Sequence, residues 1–138
     1  MAKATVHPSE SVSGTIRVPG DKSVSQRLAM MAGISEGTSV IRGYLKSEDC
    51  LRTLNAMVAL GATAEFNGDA LLITGTGGML GAPSGPLDLG NSGTGIRLMT
   101  GLLAGFPIRA TLTGDQYLQD RPMERIRAPL ALMGLKWH

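Results

Sequence analysis

Between Pro19 and Arg27 the chain reads Pro-Gly-Asp-Lys-Ser-Val-Ser-Gln-Arg, a turn that delivers Lys22 and Arg27, with the hydroxyls of Ser23 and Ser25, to the start of an apolar helix. A helix N-terminus leaves backbone N–H groups unpaired and carries a partial positive charge, so phosphate or carboxylate settles there readily. Two full charges and two hydroxyl donors make the stretch a candidate anion site. On helical spacing Ser23 and Arg27 share a face with Lys22 at its edge. Leu28, Met30, Met31 and Ile34 fall on the opposite side, which reads as core.

Two later segments have related chemistry. Leu89-Gly90-Asn91-Ser92-Gly93-Thr94-Gly95-Ile96-Arg97-Leu98 fits neither a complete Gly-x-Gly-x-x-Gly nor a Walker motif, and taken singly it reads as an ordinary strand-to-helix turn as readily as a phosphate cradle. Gly114-Asp115 leads to Asp120-Arg121-Pro122-Met123. Arg97 reads as structural, paired with an acid, and Arg125 and Arg127 as solvated. Glu48, Asp49 and Asp120 read as heads of helices, where they compensate the dipole. His7 and His138 lack neighbours at ligand spacing, so neither is taken as a metal ligand. Cys50, the single cysteine, leaves no disulfide or Cys-x-x-Cys pair and reads as a small buried hydrophobe.

The elements that must position these residues are short strands alternating with helices. Thr15 to Val18 predicts a strand, Ser23 to Ile34 a helix and Thr38 to Gly43 a strand. Ser47 offers an N-cap, followed by Glu48 and Asp49, to a second helix whose apolar stripe is Leu51, Leu54, Met57 and Val58 and which ends at Gly61. Ala62 to Phe66 and Leu71 to Thr74 flank Asn67-Gly68-Asp69, a hairpin signal. Then come Leu87-Asp88-Leu89, a helix from about Thr94 to Ala104, a strand Ile108 to Thr113 and a helix from Pro122 to Met133. Pro122 suits the first helical position and holds Arg121 extended.

These elements form a repeat. Gly20, Arg27 and Leu28 recur as Gly90, Arg97 and Leu98; Gly43 and Asp49 recur as Gly114 and Asp120; Gly61 recurs as Gly134. The first unit, about 14–85, reads βαβαββ. The second, about 86–138, stops at Leu135-Lys136-Trp137-His138, the counterpart of the first unit's third strand, so a hairpin is missing. A sheet left one hairpin short exposes an edge, and the chain is expected to be a fragment or one half of a split protein.

Composition narrows the function classes. At 43% hydrophobic and 17% charged, the chain can bury a core of ordinary domain size. With a net charge of +2, 4% aromatics and no Lys/Arg block, it offers no nucleic-acid surface. The N-terminus has neither an apolar h-region nor transit-peptide character, and no apolar run approaches bilayer length, so a cytoplasmic location without membrane partners is expected.

The three ordered motifs together resemble those of 5-enolpyruvylshikimate-3-phosphate synthases, the enolpyruvyl transferases of aromatic amino acid biosynthesis and the target of glyphosate. The likeness spans nearly all of this chain but only the opening part of the family's. It implies an α/β (α+β) fold of repeated βαβαββ units in an inside-out α/β barrel, with one complete unit and a truncated second. Residues 1–13, around Ala4 to His7, resemble the strand that crosses to the other domain. Residues 14–138 then form a partial N-terminal domain.

By this resemblance the shikimate pathway reaction moves the enolpyruvyl group of phosphoenolpyruvate to the 5-hydroxyl of shikimate 3-phosphate, releasing phosphate, with no metal or organic cofactor. Lys22 is implied to touch both substrates and to be catalytic. Ser23 and Arg27 are implied to hold shikimate 3-phosphate, and Asn91, Gly93, Thr94 and Arg121 phosphoenolpyruvate. The acids that accept protons, with further Arg and Lys ligands, belong to the family's later part, so this chain alone is expected to be inactive until a C-terminal portion completes it. Gly95-Ile96-Arg97-Leu98 resembles the subclass that has Leu where many members have Pro. Ser23, and the absence of Cys near Asp115 to Arg121, speak against the related transferase acting on a nucleotide sugar. The competing reading is a noncatalytic module binding phosphorylated ligands.

Overall fold

Asp21, in extended conformation, accepts the Val24 amide at 2.7 Å and so starts the first helix, α1 (Lys22–Ile34), just ahead of Ser23. The computed structural model describes residues 2–137. After α1 come β1 (Thr38–Arg42), α2 (Glu48–Ala59), β2 (Thr63–Asn67) and β3 (Ala70–Thr74). They are followed by β4 (Leu87–Asp88), α3 (Gly93–Leu103), β5 (Leu112–Thr113), the short α4 (Gln116–Gln119) and α5 (Glu124–Leu132).

The first sheet has the order β1-β3-β2 and is antiparallel throughout. The expected hairpin joins β2 to β3, with Asn67 opposite Ala70 and Gly68 turning at φ +60°. Alternation aims Leu71 and Ile73 of the central strand inward, where both are fully buried with Met57 and Leu60. Each such side chain contributes about 1.5–3 kcal/mol. The second sheet is a parallel pair, Leu87 against Leu112 and Asp88 against Thr113, joined across α3.

Several expectations need correction. Thr15 to Val18 forms no strand: residues 2–21 lie in no helix or strand, and Ile16 and Val18 are 84% and 70% exposed. Strand character needs a neighbour for the backbone groups, and neither this segment nor Ala4 to His7 has one. Of the strand expected over Ile108 to Thr113 only Leu112–Thr113 pairs. The last helix starts at Glu124, so Pro122 precedes it rather than opening it. Asp120 closes α4 instead of heading a helix. Leu135 to Trp137 form no strand, and His138 lies outside the described residues.

The buried face of α1 is also not the expected one. Met30 is buried and Ile34 partly so, but Leu28 and Met31 are exposed, and the helix packs through Ser25, Gln26, Ala29, Ala32 and Gly33. A Cβ on Gly33 would lie 2.6 Å from the Met57 methyl, so small residues let α1 approach α2 closely. Close helix packing decided against the larger side chains. On α2, Leu54 and Met57 are buried as expected while Val58 is 43% exposed.

Of the glycine pairs aligned in the sequence, one sits in matching places. Gly61 and Gly134 follow α2 and α5 at φ +111° and +100°, and their amides return to the carbonyls of Val58 and Ala131. Only glycine holds that conformation without strain.

Candidate functional site

Lys22 opens α1, its side chain half exposed, and its ammonium donates to Asp49 Oδ2 at 2.9 Å from the first turn of α2. That hydrogen bond and the carboxylate's charge hold the ammonium above the usual 10.5, against its slight desolvation and the positive charge of Arg121. Lys22 is therefore a full cation at neutral pH and lies within electrostatic reach of Arg121. Arg27 lies on the same face as Ser23, donating Nη1 to the Ser23 carbonyl at 3.1 Å. Ser25, expected among the anion's donors, instead faces inward and accepts the Leu45 amide at 3.0 Å.

The second expected cradle surrounds the start of α3. Ser92, 1% exposed, is its N-cap and accepts the Gly95 amide at 2.9 Å. Arg121 donates Nη2 to Asn91 Oδ1. A Cβ on Gly93 would lie 2.5 Å from Arg121 Nη1 and 2.9 Å from Arg97 Nη1. The bare glycine thus lets two guanidinium groups flank a helix N-terminus that has no acidic residue in its first turn, and Thr94, partly buried, occupies that turn.

Arg97 is structural, but its partners differ from the expected acid: it donates to the carbonyls of Gly93 at 3.0 Å and Pro122 at 3.1 Å. Those bonds tie the segment carrying Arg121 to α3. Arg125 and Arg127 are both exposed as expected, and Arg127 also pairs with Glu124 at 2.7 Å. Cys50 is fully buried, with Sγ 3.5 Å from the Lys22 carbonyl. His7 is exposed in the N-terminal segment, outside any helix or strand.

The starts of α1, α2 and α3 meet at one side chain that the sequence reading passed over. Gln26, 0% exposed, brings Nε2 within 3.2 Å of the Asp49 carbonyl, 3.1 Å of Thr53 Oγ1 and 2.7 Å of Ser92 Oγ. Its signal was a polar residue among the apolar ones of a helix. Asp49 was read only as a dipole partner and proves also to be the counter-ion of Lys22. Ser47 takes the N-cap position of α2, yet its buried hydroxyl makes no hydrogen bond.

A cleft of about 540 Å³ opens beside these helix starts, lined in part by Asp49, Arg52, Asp88, Asn91 and Asp115. Arg52 is paired there with Glu48 and Asp88. Its acidic walls repel anions, whereas Lys22, Ser23, Arg27 and Arg121 lie off it. The cationic surface is an open one.

Fold and site together define an α/β protein with cations gathered at helix N-termini. The family model for EPSP synthase (3-phosphoshikimate 1-carboxyvinyltransferase) matches residues 6–138, and the chain belongs to that family. It is 50% identical over 135 residues to the 3-phosphoshikimate 1-carboxyvinyltransferase of Geotalea uraniireducens, covering 97% of this chain and 32% of that relative. With the enzyme of that name from Hyphomonas neptunium the identity is 48% over 134 residues, covering 96% and 30%. The solved EPSP synthase from Acinetobacter baumannii superposes with a TM-score of 0.84 at 45% identity, over 89% of this chain and 28% of that structure. The chain thus spans about a third of the length of the curated relatives it matches. Among the described residues no helix is long and apolar enough to cross a membrane.

Proposed function

We propose that this chain supplies the N-terminal part of an enolpyruvyl transferase that moves the enolpyruvyl group of phosphoenolpyruvate to the 5-hydroxyl of shikimate 3-phosphate in the cytoplasm. The observation that carries the reading is the convergence of two anion-receptive helix starts, α1 with Lys22, Ser23 and Arg27, and α3 with Asn91, Gly93, Thr94 and Arg121. Lys22 is held by Asp49 at 2.9 Å and lies near enough to Arg121 to feel its charge, which supports a place for Lys22 between the two helix starts. Both substrates are anionic, so rigidly held cations can stabilise charge that develops during reaction.

In this reading the 5-hydroxyl gives up its proton and its oxygen bonds to the phosphate-bearing enol carbon of phosphoenolpyruvate, while the methylene carbon gains a proton. The tetrahedral adduct then loses phosphate and returns a proton from the methyl group. Ser23 and the planar fork of Arg27 hold shikimate 3-phosphate. The amides at the start of α3, with Arg121, hold phosphoenolpyruvate. Binding there requires Arg121 to exchange Asn91 for the ligand. Lys22 lies between the two and stabilises charge or moves the proton at the reacting carbon.

The proton acceptors come from a complementary C-terminal portion, in trans or in a longer chain. The units at about 14–85 and 86–138 then form part of an inside-out barrel of βαβαββ repeats, with residues 1–13 crossing to the second domain. The test is to mix the purified chain with a separately produced C-terminal portion of a synthase and follow phosphate release from the two substrates. Activity only in the mixture is expected. Turnover by the 138-residue chain alone overturns the division of the site, and an assembled but inactive pair favours a noncatalytic module for phosphorylated ligands.

A further inference from the structure

Burying a carboxamide is costly unless its bonds are worth keeping, and Gln26 is buried completely beside the proposed site. It lies next to Arg27 and one turn from Lys22, so its bond to Ser92 sets how the start of α3 sits against the cations of α1. Its shortest bond, 2.7 Å, goes to Ser92 Oγ, the oxygen that caps α3 by accepting the Gly95 amide. The link to Ser92 survives either orientation of the amide, because a hydroxyl both donates and accepts. The other oxygen of the pair, Gln26 Oε1, is buried without a partner. Gly95 leaves the room this arrangement needs: a Cβ there would lie 2.7 Å from Ser92 Oγ and 3.1 Å from Gln26 Nε2.

We infer that Gln26 is a positioning residue that sets the turn Asn91–Thr94 relative to the cations of α1, so that phosphoenolpyruvate recognition depends on it while shikimate 3-phosphate recognition does not. The ligand assignment rests on the proposed function; the positioning of the turn does not. Gln26 touches neither ligand. It acts through Ser92.

The variant Gln26→Met keeps length and volume and removes both donors. In the 138-residue chain without ligand, amide hydrogen exchange at Gly95 is expected to speed up roughly tenfold, with Ala29 and Met57 unchanged. Unchanged exchange at Gly95 overturns the inference. In the chain paired with a C-terminal portion, the KM for phosphoenolpyruvate is expected to rise about fivefold or more, with that for shikimate 3-phosphate within about twofold. Equal rises in both constants mean a merely structural role and overturn it too. Gly95→Ala, which displaces Ser92 Oγ from the other side, carries the same expectations if the Met variant does not fold. A wild-type pair without turnover overturns the ligand assignment, and the exchange result still decides the positioning of the turn.

Discussion

From α1 to β3 the chain packs two helices against a three-stranded sheet, whereas from β4 to α5 the related elements meet through strands of two residues each. Local signals are alike in the two regions. Asp21 and Ser92 cap α1 and α3, and Gly61 and Gly134 end α2 and α5 in the same left-handed conformation. Yet α2 buries Cys50, Thr53, Leu54, Ala56 and Met57, whereas no residue of α5 is fully buried. Caps and turns make a helix begin and end in place. A hairpin to pack against is what lets it bury a face.

The contrast is tested most directly in the buried core. Leu71→Ala in the central strand is expected to cost about 2–5 kcal/mol in urea unfolding. A loss under 1 kcal/mol there would remove the distinction between the regions. Next in size, Gly61→Ala forces a side chain into the left-handed region and is expected to cost about 1–2 kcal/mol. Gly134→Ala carries the same local strain, but is expected to leave the main unfolding transition in place, because α5 opens without disturbing the buried core. Equal shifts of the melting temperature in the two glycine variants would show that the regions unfold as one.

Smaller effects sharpen the comparison at the helix starts. Asp21→Ala removes the cap of α1 and is expected to cost about 1 kcal/mol, read as a lower urea midpoint with an unchanged slope. The exposed Lys22–Asp49 pair is worth less, within about 1 kcal/mol. Because the Lys22 value is raised on folding, the pair's contribution is fully present below pH 10.5 and fades as pH climbs through the raised value. The stability difference between wild type and Lys22→Met should therefore be flat from neutral pH to about 10 and shrink above it. A difference that already fades between neutral pH and about pH 9 contradicts the ion pair.

The placing of the candidate residues at helix starts could be read from residue types in order. Lys22, Ser23 and Arg27 lie at one helix start and Asn91, Gly93 and Thr94 at another, because Gly-rich turns before apolar periodic runs leave few other places for a helix to begin. What misled was the assumption that larger side chains mark the buried face. Leu28 and Met31 are outside, and Ser25 and Gln26 inside, because Gly33 and its small neighbours bring α1 close to α2 and polar groups between them find partners. Thr15 to Val18 misled differently, since alternation signals strand preference but supplies no neighbour.

By itself the sequence determined where most helices and turns fall and which cations stand at helix starts, since these depend on near neighbours along the chain. The tertiary structure alone decided that Lys22 takes Asp49 as its counter-ion, that Arg97 grips the carbonyls of Gly93 and Pro122, and that Gln26 bridges α1 to Ser92. Those pairings join residues far apart in the chain. Their geometry is set by how closely whole helices approach, which no local pattern of residues records.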